Sequence, residues 1–321
     1  IMEIKDIKAV YFVGAGGIGM SALVRYFLSI GKFVAGYDRT PSELTEQLIA
    51  EGAAIHYEEN IDLIPPMCLD KEATLVVLTP AVPNEHAELC YFKENGYTIQ
   101  KRAQVLGTIT HASKGLCVAG THGKTTTSTM TAHLLHQSHV GCTAFLGGIS
   151  KNYGTNLLLS KDSPYTVIEA DEFDRSFHWL SPYMSVITST DPDHLDIYGT
   201  HEAVKEAFSE FVGQIRPGGA LILKQGVELD IRNDRIRVYR YAYDTPCDFY
   251  ADRIRLEPDG RHTFDLVCPD RVIRDCTPGV PGWVNVENCV AAAAMLWVAG
   301  FDEAKLRVAI ASFSGVKRRF D

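Results

Sequence analysis

The sequence predicts an α/β protein built on two doubly wound, largely parallel sheets, the second with a small antiparallel patch. Short apolar runs alternate with helix-like segments along the chain, as in parallel sheets covered by helices. Twice, a glycine-rich loop follows a strand-like run and opens a helix-like segment. The length of 321 residues exceeds a typical domain of ~100–200 residues, so two domains are expected.

The first domain is predicted to span residues 1–107. Its strand-like apolar runs are residues 9–13, 33–37 and 75–78, and its helix-like segments are residues 21–30 and 43–52. The first run ends at glycines and the second ends at Asp38. This β-α-β-α-β order, opened by a glycine loop, predicts a Rossmann-like sheet.

The second domain is predicted to span residues 108–321. Its strand-like runs are residues 116–119, 165–169 and 184–188, and its helix-like segments are residues 124–137, 201–215 and 285–299. Between residues 220 and 273, short strand-like runs alternate with turn residues, which predicts the antiparallel patch. We therefore expect a P-loop-type α/β domain.

Charge and cysteine usage exclude several classes of protein. A formal net charge of −9 argues against a nucleic-acid binder, which concentrates positive charge. The eight cysteines form no Cys-x-x-Cys pair, so we expect buried thiols in a reducing cytoplasm and no zinc framework. The apolar run at residues 9–19 is too short and too rich in glycine for a membrane span or a targeting signal.

Both ends of the chain are unusual. Ile1 precedes Met2, which suggests a remnant of cloning. The chain stops in a charged stretch at residues 317–321, directly after a helix-like segment. We therefore expect the chain to be truncated.

The first glycine loop is a candidate site for a nucleotide or nucleotide-sugar diphosphate. It consists of Gly14, Ala15, Gly16, Gly17, Ile18 and Gly19. Gly14 is expected to permit a tight turn, Gly16 to let a pyrophosphate approach the backbone, and Gly19 to let the helix pack on the strand. Asp38 stands where an acid would bind a ribose. The alternative is a tight turn without a ligand.

The second glycine loop is a candidate phosphate site. It consists of Gly120, Thr121, His122, Gly123, Lys124, Thr125 and Thr126. Val118 stands where the standard phosphate loop has its first glycine, yet the chemistry is preserved. Backbone amides can cradle phosphate, Lys124 can reach the β- and γ-phosphates, and a threonine hydroxyl can bind Mg²⁺. Two phosphate loops in one chain indicate two phosphorylated ligands, one of them ATP.

Acidic residues follow two strand-like runs. Glu169 opens a run of four acids within six residues, and His194 lies among aspartates after the next strand. Acids this close repel one another unless a cation is bound. Because the carboxyl ends of parallel strands share one edge of a sheet, Lys124, Glu169 and His194 are expected to converge on a metal-nucleotide site. The alternatives are a solvated loop and a structural histidine.

Together these residues resemble the Mur ligase family. The second loop, the Glu-Ala-Asp-Glu run at residues 169–172 and the Asp-His-Leu-Asp segment at residues 193–196 stand in the family's order. Asn285 and Asn288 supply its Asn-x-x-Asn element, and residues 315–321 match the end of its central domain. The resemblance spans the whole chain. It departs at Val284, where the family often has a histidine.

The resemblance implies an enzyme of three domains, which bind a UDP-sugar, ATP and an amino acid, with the third domain absent from this chain. The implied reaction joins the lactyl carboxylate of UDP-N-acetylmuramate to L-alanine through an acyl phosphate in peptidoglycan precursor synthesis. It implies Asn285, Asn288 and Arg319 at ATP, and Asn156 at the sugar.

The implied metal is Mg²⁺, held by Thr125, Glu169 and His194. The implied partners are small molecules, and the oligomeric state stays open. Without the third domain, we expect the chain to be inactive alone.

Other functions remain open at this point. A murein-tripeptide recycling ligase of the same family shares the His122 loop. An NAD-dependent dehydrogenase would use the first loop and Asp38 but leaves the Lys124 loop unexplained. A folylpolyglutamate-type ligase shares the second domain without needing the first loop. The chain can also be a nucleotide-binding module without turnover.

Overall fold

A computed structural model describes residues 2–317 of the chain. The chain forms two compact units, which meet in sequence between Ala112 and Ser113. The sequence predicts this boundary between residues 107 and 108. The difference arises because the last helix of the first unit continues to His111 before the first strand of the second unit begins.

The first unit contains one parallel sheet of five strands in the order β3-β2-β1-β4-β5. Its strands are β1 (Ala9–Val13), β2 (Phe33–Tyr37), β3 (Ala54–His56), β4 (Thr74–Leu78) and β5 (Thr98–Lys101). Its α-helices are α1 (Ile18–Ser29), α2 (Glu43–Ala50), α3 (Ala87–Glu94) and α4 (Arg102–His111). The sheet is doubly wound, as the alternation of apolar runs predicted.

The order of strands places the first glycine loop at a topological switch point. Strand β1 is buried along its whole length and lies between β2 and β4 at the centre of the sheet. The chain continues from β1 to β2 and β3 on one side of β1 and then returns to β4 on its other side. The strand order therefore reverses at β1, and its carboxyl end borders a crevice, the usual ligand position in such sheets.

The second unit is built on a larger sheet in the order β12-β11-β10-β6-β9-β7-β16, with β8 paired to β7. Its strands are β6 (Lys114–Ala119), β7 (Thr143–Ser150), β8 (Thr155–Leu158), β9 (Tyr165–Glu169), β10 (Met184–Ile187), β11 (Ala220–Lys224), β12 (Arg237–Tyr241) and β16 (Val316–Lys317). Its α-helices are α5 (Lys124–Gln137), α6 (Leu195–Tyr198), α7 (His201–Gly213), α8 (Trp283–Ala299) and α9 (Glu303–Ser312). Six strands run parallel, while β8 and β16 are antiparallel to β7.

The antiparallel patch is smaller than the sequence analysis predicted. It comprises β13 (Tyr250–Leu256), β14 (His262–Val267) and β15 (Val272–Cys276). Strands β11 and β12 fall within the predicted patch but belong to the parallel sheet. The prediction was wrong for these two because their parallel partners are not their neighbours in the local pattern of short strands and turns, and because β12 is a partly exposed edge strand, as antiparallel strands often are.

Helix α8 forms the centre of the second core. Its alanine run at residues 291–294 is buried, and the helix contacts α5, β11 and β13. The small side chains let α5 and the sheets approach α8 closely. Because α8 is packed on several sides, it is apolar almost all round. Its partner α5 carries the phosphate loop at its N-terminus, so this packing fixes the loop.

All eight cysteines are free thiols, and six of them are buried. Burial raises the pKa of Cys117 and of Cys142 to about 12. The two thiols that are only half-buried are Cys90 in the first unit and Cys247 in the second. Along residues 2–317, no helix combines the length and the apolar character needed to cross a lipid bilayer.

Candidate functional site

The second glycine loop connects buried strand β6 to helix α5 at the centre of the large sheet. Gly120 has φ +134°, and a β-carbon there would lie 2.0 Å from Thr188 Oγ1. Gly123 precedes the helix with φ +79°. Only glycine meets both demands without strain. The unpaired amides at the N-terminus of α5 therefore face the space beyond the sheet edge, where an anion binds favourably.

A cleft of about 810 Å³ opens at this loop. Loop residues form one wall, the glycines of β7 and Glu169 form the floor, and the segment leading into β16 forms the other side. The lining residues are Thr121, His122, Gly123, Lys124, Thr125, Thr126, Gly147, Gly148, Lys151, Glu169, Val280, Asn285, Phe313, Ser314, Gly315 and Val316. The cleft belongs entirely to the second unit.

Lys124 makes an ion pair with Glu172 inside the site. Its Nζ donates to Glu172 Oε2 at 2.8 Å. Glu172 Oε1 lies 3.3 Å from His194 Nε2, although its geometry falls short of a hydrogen bond and the atom is buried without one. His194 adopts a left-handed conformation, with φ +55°. Glu172 thus stands between the two basic side chains that the sequence analysis expected to converge.

Thr125 and Glu169 form a second contact at the cleft floor. The Thr125 hydroxyl lies 3.1 and 3.0 Å from the two carboxylate oxygens of Glu169. Burial raises the pKa of Glu169, opposed by the Thr125 hydrogen bond and by the charge of Lys124. A β-carbon at Gly147 would lie 2.0 Å from Glu169 Oε2, so this glycine makes room for the carboxylate.

The donor atoms at the cleft floor fit a divalent cation. Thr125 and Glu169 offer oxygen ligands, which Mg²⁺ prefers. Beside them, one ligand atom each from Glu172, Asp193 and His194 lies within 4.8 Å of the others. The raised pKa of Glu169 and the unpaired oxygen of Glu172 both mark negative charge that a cation would stabilise.

Asparagines of helix α8 approach the phosphate loop from the far wall. Asn285 lines the cleft, and its side-chain amide donates to the Pro281 carbonyl at 2.8 Å. Asn288 accepts from the Thr127 hydroxyl at 3.2 Å. Val284 is exposed at the helix start. The Asn-x-x-Asn element therefore reaches the loop with one side chain in the cleft and one behind the loop.

His122 lies at the exposed edge of the phosphate loop. Its carbonyl accepts from the Thr188 hydroxyl, and its ring lies 3.5 Å from Asp191 across the loop. The backbone is thus tied to the end of β10, while the imidazole stays open to solvent.

In the first glycine loop, Gly14 has the positive φ of +97° that its predicted tight turn requires. The amides of Gly14 and Ala15 donate to the Tyr37 carbonyl at 2.9 and 3.0 Å, so they are used within the sheet. A β-carbon at Gly16 would lie 1.9 Å from Asp38 Oδ2. Gly16 thus brings Asp38 against the loop, and these two predicted residues are neighbours.

Gly19 is expected to let the helix pack on the strand, but its close neighbour in the structure is the Arg102 side chain. A β-carbon there would meet the Arg102 side chain, 2.9 Å from Nε. Arg102 Nε donates to the Gly19 carbonyl at 3.4 Å. Sequence spacing identified a close approach at Gly19 but not its partner, which lies far along the chain.

Most of the residues predicted to bind ATP or metal lie in or beside the cleft. Asn156 lies in β8 and is not among the residues that line the cleft. Arg319 lies outside the described residues. Glu172 is a site residue that the sequence does not predict, except as a member of the acidic run. Its signal was the position three residues beyond Glu169 in a run whose other members, Asp171 and Asp174, are exposed.

Sequence profiles match both units of the chain. The profile of the Mur ligase middle domain matches residues 118–296. The profile described as the Mur ligase family catalytic domain matches residues 9–114. Each match covers one of the two glycine loops.

Curated relatives match over the full length of the chain. The UDP-N-acetylmuramate–L-alanine ligase of Phocaeicola vulgatus is 63% identical over 321 residues, which are 100% of this chain and 70% of that protein. The protein of the same name from Parabacteroides distasonis is 59% identical, with 100% and 69% of the two chains covered.

Solved structures share the fold. The UDP-N-acetylmuramate-alanine ligase from Thermotoga maritima superimposes with a TM-score of 0.76 at 27% identity, covering 98% of this chain and 70% of that one. A murein peptide ligase from Psychrobacter arcticus reaches 0.79 at 23% identity, with 98% and 70% covered, and shows likeness of fold alone. On the profile matches and the close curated relatives, this chain is a member of the Mur ligase family.

Proposed function

We propose that this chain binds UDP-N-acetylmuramate and ATP as part of a cytoplasmic ligase that joins L-alanine to the sugar's lactyl carboxylate. The observation that carries the proposal is the cleft where Lys124 and Thr125 of the phosphate loop meet Glu169 and Glu172. The close relatives from Phocaeicola vulgatus and Parabacteroides distasonis support the choice of substrates by their names.

The reaction balances as two displacements. A lactyl carboxylate oxygen attacks the γ-phosphorus of ATP, the bond to the β-phosphate oxygen breaks, and ADP leaves. The amine of L-alanine then attacks the carbonyl carbon of the acyl phosphate, and inorganic phosphate leaves as the amine loses a proton. No covalent bond to the protein is needed, so the protein acts by positioning and by stabilising charge.

The residues of the cleft suit this task. Lys124 and the amides at the start of α5 would bind phosphate oxygens, where negative charge shifts during transfer. Thr125, Glu169 and His194 would hold Mg²⁺, which when bound neutralises phosphate charge. Asn285, Asn288 and, from the family resemblance, Arg319 would contact ATP. His122, at the exposed edge of the loop, would lie beside the nucleotide.

The first unit would bind the UDP part of the sugar nucleotide. The helix start at residues 17–19 and the Gly16–Asp38 neighbourhood supply amides for a diphosphate and a carboxylate for a ribose. Asn156 is proposed as a sugar contact on the family resemblance. The dehydrogenase alternative gives no role to Lys124 and its loop.

Titration calorimetry tests the substrate assignment. UDP-N-acetylmuramate is compared with UDP-N-acetylglucosamine, which has the same nucleotide but no lactyl group, and with NADH. We expect both UDP-sugars to bind, UDP-N-acetylmuramate more tightly, and NADH to give no heat of binding. Equal affinity for the two UDP-sugars would contradict the substrate, and tight NADH binding would contradict the proposed function altogether.

A further inference from the structure

The Glu172 carboxylate is enclosed by the phosphate site without lining the cleft. Its side chain is 1% exposed, against 14% for Lys124 and 29% for His194. One oxygen accepts from Lys124 Nζ at 2.8 Å, and the other lies 3.3 Å from His194 Nε2. The acid therefore contacts both basic groups of the site from the protein side.

The backbone around Glu172 is fixed. Its carbonyl accepts hydrogen bonds from the Tyr198 hydroxyl and from the Arg175 amide. Asp174 and Arg175 both adopt left-handed conformations, with φ +51° and +56°. Side chains other than glycine rarely adopt this region, so the turn is held by its surroundings. These contacts fix the position of the Glu172 backbone beside Lys124.

This arrangement changes the charge that a phosphate meets. A buried carboxylate is stable only when paired, so the ammonium group of Lys124 neutralises Glu172 before any ligand arrives. An ammonium group has three donors, so Lys124 can keep the pair and still bind a phosphate oxygen. What the phosphate meets is then an ion pair with little net positive charge.

We propose that Glu172 is a positioning residue that holds Lys124 toward the phosphate site and makes nucleotide binding depend on a divalent cation. Resting on the proposed ATP site, this gives Glu172 a role beyond that of a metal ligand. Paired with Glu172, Lys124 orients the phosphate and donates hydrogen bonds to it but adds little net positive charge. The positive charge that offsets the triphosphate must therefore come from the divalent cation bound to the nucleotide.

The test is ATP affinity with and without metal, measured by calorimetry in excess EDTA and in excess MgCl₂. Glu172→Gln keeps the size of the side chain and an oxygen that accepts from Lys124, but removes the charge. We expect the variant to bind metal-free ATP about tenfold more tightly than the unmodified chain, the scale of one partly screened charge interaction. The difference between its ATP affinities in EDTA and in MgCl₂ should therefore be smaller. Asp171→Asn is the matched control, because it removes an exposed charge from the same run and should leave both affinities unchanged.

Three results would overturn the proposal. The first is that Glu172→Gln leaves the metal-free affinity for ATP unchanged. The second is that it weakens only the affinity measured with MgCl₂, as removal of a metal ligand would. The third is that Asp171→Asn tightens the binding of metal-free ATP as much as Glu172→Gln does. Lys124→Met separates this inference from the proposed function. If it binds ATP normally, the phosphate site itself is wrong. If it loses ATP while Glu172→Gln changes nothing, only the role of Glu172 is wrong.

A measurement on the unmodified chain guards against a variant that fails to fold. Lys124 and Lys151 both line the cleft, but Lys151 is exposed and makes no ion pair among the described residues. Without nucleotide, we expect acetic anhydride to acylate Lys124 more slowly than Lys151, because its ammonium is held by Glu172. Equal rates for the two lysines would contradict the pairing.

Discussion

Among single residues, Lys124 has the most direct expected effect on ATP. It lines the cleft at the phosphate loop and is also the ion-pair partner of a buried acid. We predict that Lys124→Ala weakens ATP binding by about 100-fold, the scale of losing one or two charge-assisted hydrogen bonds, and leaves UDP-sugar affinity unchanged. Calorimetry with each ligand measures both.

Lys151→Ala is the control for charge at the cleft, because Lys151 lines it without an ion pair to Glu172. It should weaken ATP binding less than Lys124→Ala does. Unchanged ATP affinity in Lys124→Ala would refute the assignment of the loop. Thermal unfolding of both variants checks that the loss of ATP does not come from an unfolded second unit.

Glu169 gives a prediction about pH. Burial raises its pKa above the ordinary value of 4.5, so the folded chain holds this proton more tightly than the unfolded chain. The contribution to stability is then present below pH 4.5 and is lost as pH rises through the folded pKa. In metal-free buffer, Glu169→Gln should therefore raise the urea midpoint of the second unit at pH 7, and the gain should vanish toward pH 4.5.

The Thr125 hydrogen bond and the Lys124 charge oppose this shift, so the comparison needs a control acid. Asp162 is an exposed carboxylate in the same unit, and Asp162→Asn should give no such pH-dependent gain. A lower urea midpoint for Glu169→Gln at pH 7 would mean that the ionised carboxylate stabilises the metal-free fold.

Gly16 carries the prediction for the first loop. A β-carbon would lie 1.9 Å from Asp38 Oδ2 and 3.0 Å from Thr45 Cγ2, so Gly16→Val must displace the Asp38 side chain. We predict that UDP-N-acetylmuramate binding is lost and that ATP affinity is kept, as measured by calorimetry. Gly213→Ala is the control, since Gly213 has no positive φ and a β-carbon there meets nothing within 4 Å. Retained sugar-nucleotide binding in Gly16→Val would remove Gly16 and Asp38 from the site.

At the scale of elements, strand β7 is shaped by the site that it borders. Gly147 makes room for the Glu169 carboxylate, and a β-carbon at Gly148 would lie 2.7 Å from Val316 Cγ1 and 3.3 Å from Thr125 Cγ2. Gly147 needs no positive φ, so its constraint is space. We predict that Gly147→Ala pushes Glu169 away from Thr125 and lowers ATP affinity in MgCl₂ about tenfold, the scale of losing one hydrogen bond.

Gly213→Ala is the matched control for this prediction. Gly213 is the last residue of α7, and a β-carbon there meets nothing within 4 Å. Alanine favours helix over glycine by up to ~1 kcal/mol, so the variant should be at least as stable as the parent and should bind ATP normally. If Gly147→Ala also bound ATP normally, the space that Gly147 leaves for the Glu169 carboxylate would not matter for ATP affinity.

The same glycines explain why the sequence analysis did not predict β7. Glycine is depleted in strands, so a run that reads TAFLGGIS looks like a loop. Strands β1, β6 and β9 were predictable because they are continuous apolar runs. Glu172 was not predicted to pair with Lys124 because the kink after it depends on Tyr198, which lies 26 residues further along the chain.

At the scale of the whole molecule, each compact unit has its own sheet and its own buried apolar core. Ligands that bind one unit should therefore protect mainly the amides of that unit. We predict that UDP-N-acetylmuramate slows hydrogen exchange in the loop after β1, while ATP with MgCl₂ slows it in the loop after β6. Mass spectrometry of the exchanged peptides measures both effects. If ATP protected only the loop after β1, the assignment of ATP to the second unit would be wrong.

The general architecture was predictable because the alternation of apolar runs and the two glycine loops are local signals. The position of the domain boundary was harder to predict, because α4 continues past residue 107 on polar as well as apolar residues. The partner of Gly19 and the parallel pairing of β12 depend on contacts distant in sequence. Local patterns thus indicate the elements and the loops, while the packing decides which acid faces which base.

The distribution of thiols makes the chain suitable for distance measurements by fluorescence. Six cysteines are buried, and the two half-buried ones, Cys90 and Cys247, fall one in each unit. A maleimide dye reacts with accessible thiolate, so these two positions should take a donor and an acceptor without any substitution elsewhere. The efficiency of energy transfer between the two dyes, measured on single molecules, would then show whether the distance between the two units changes when nucleotide and sugar are added.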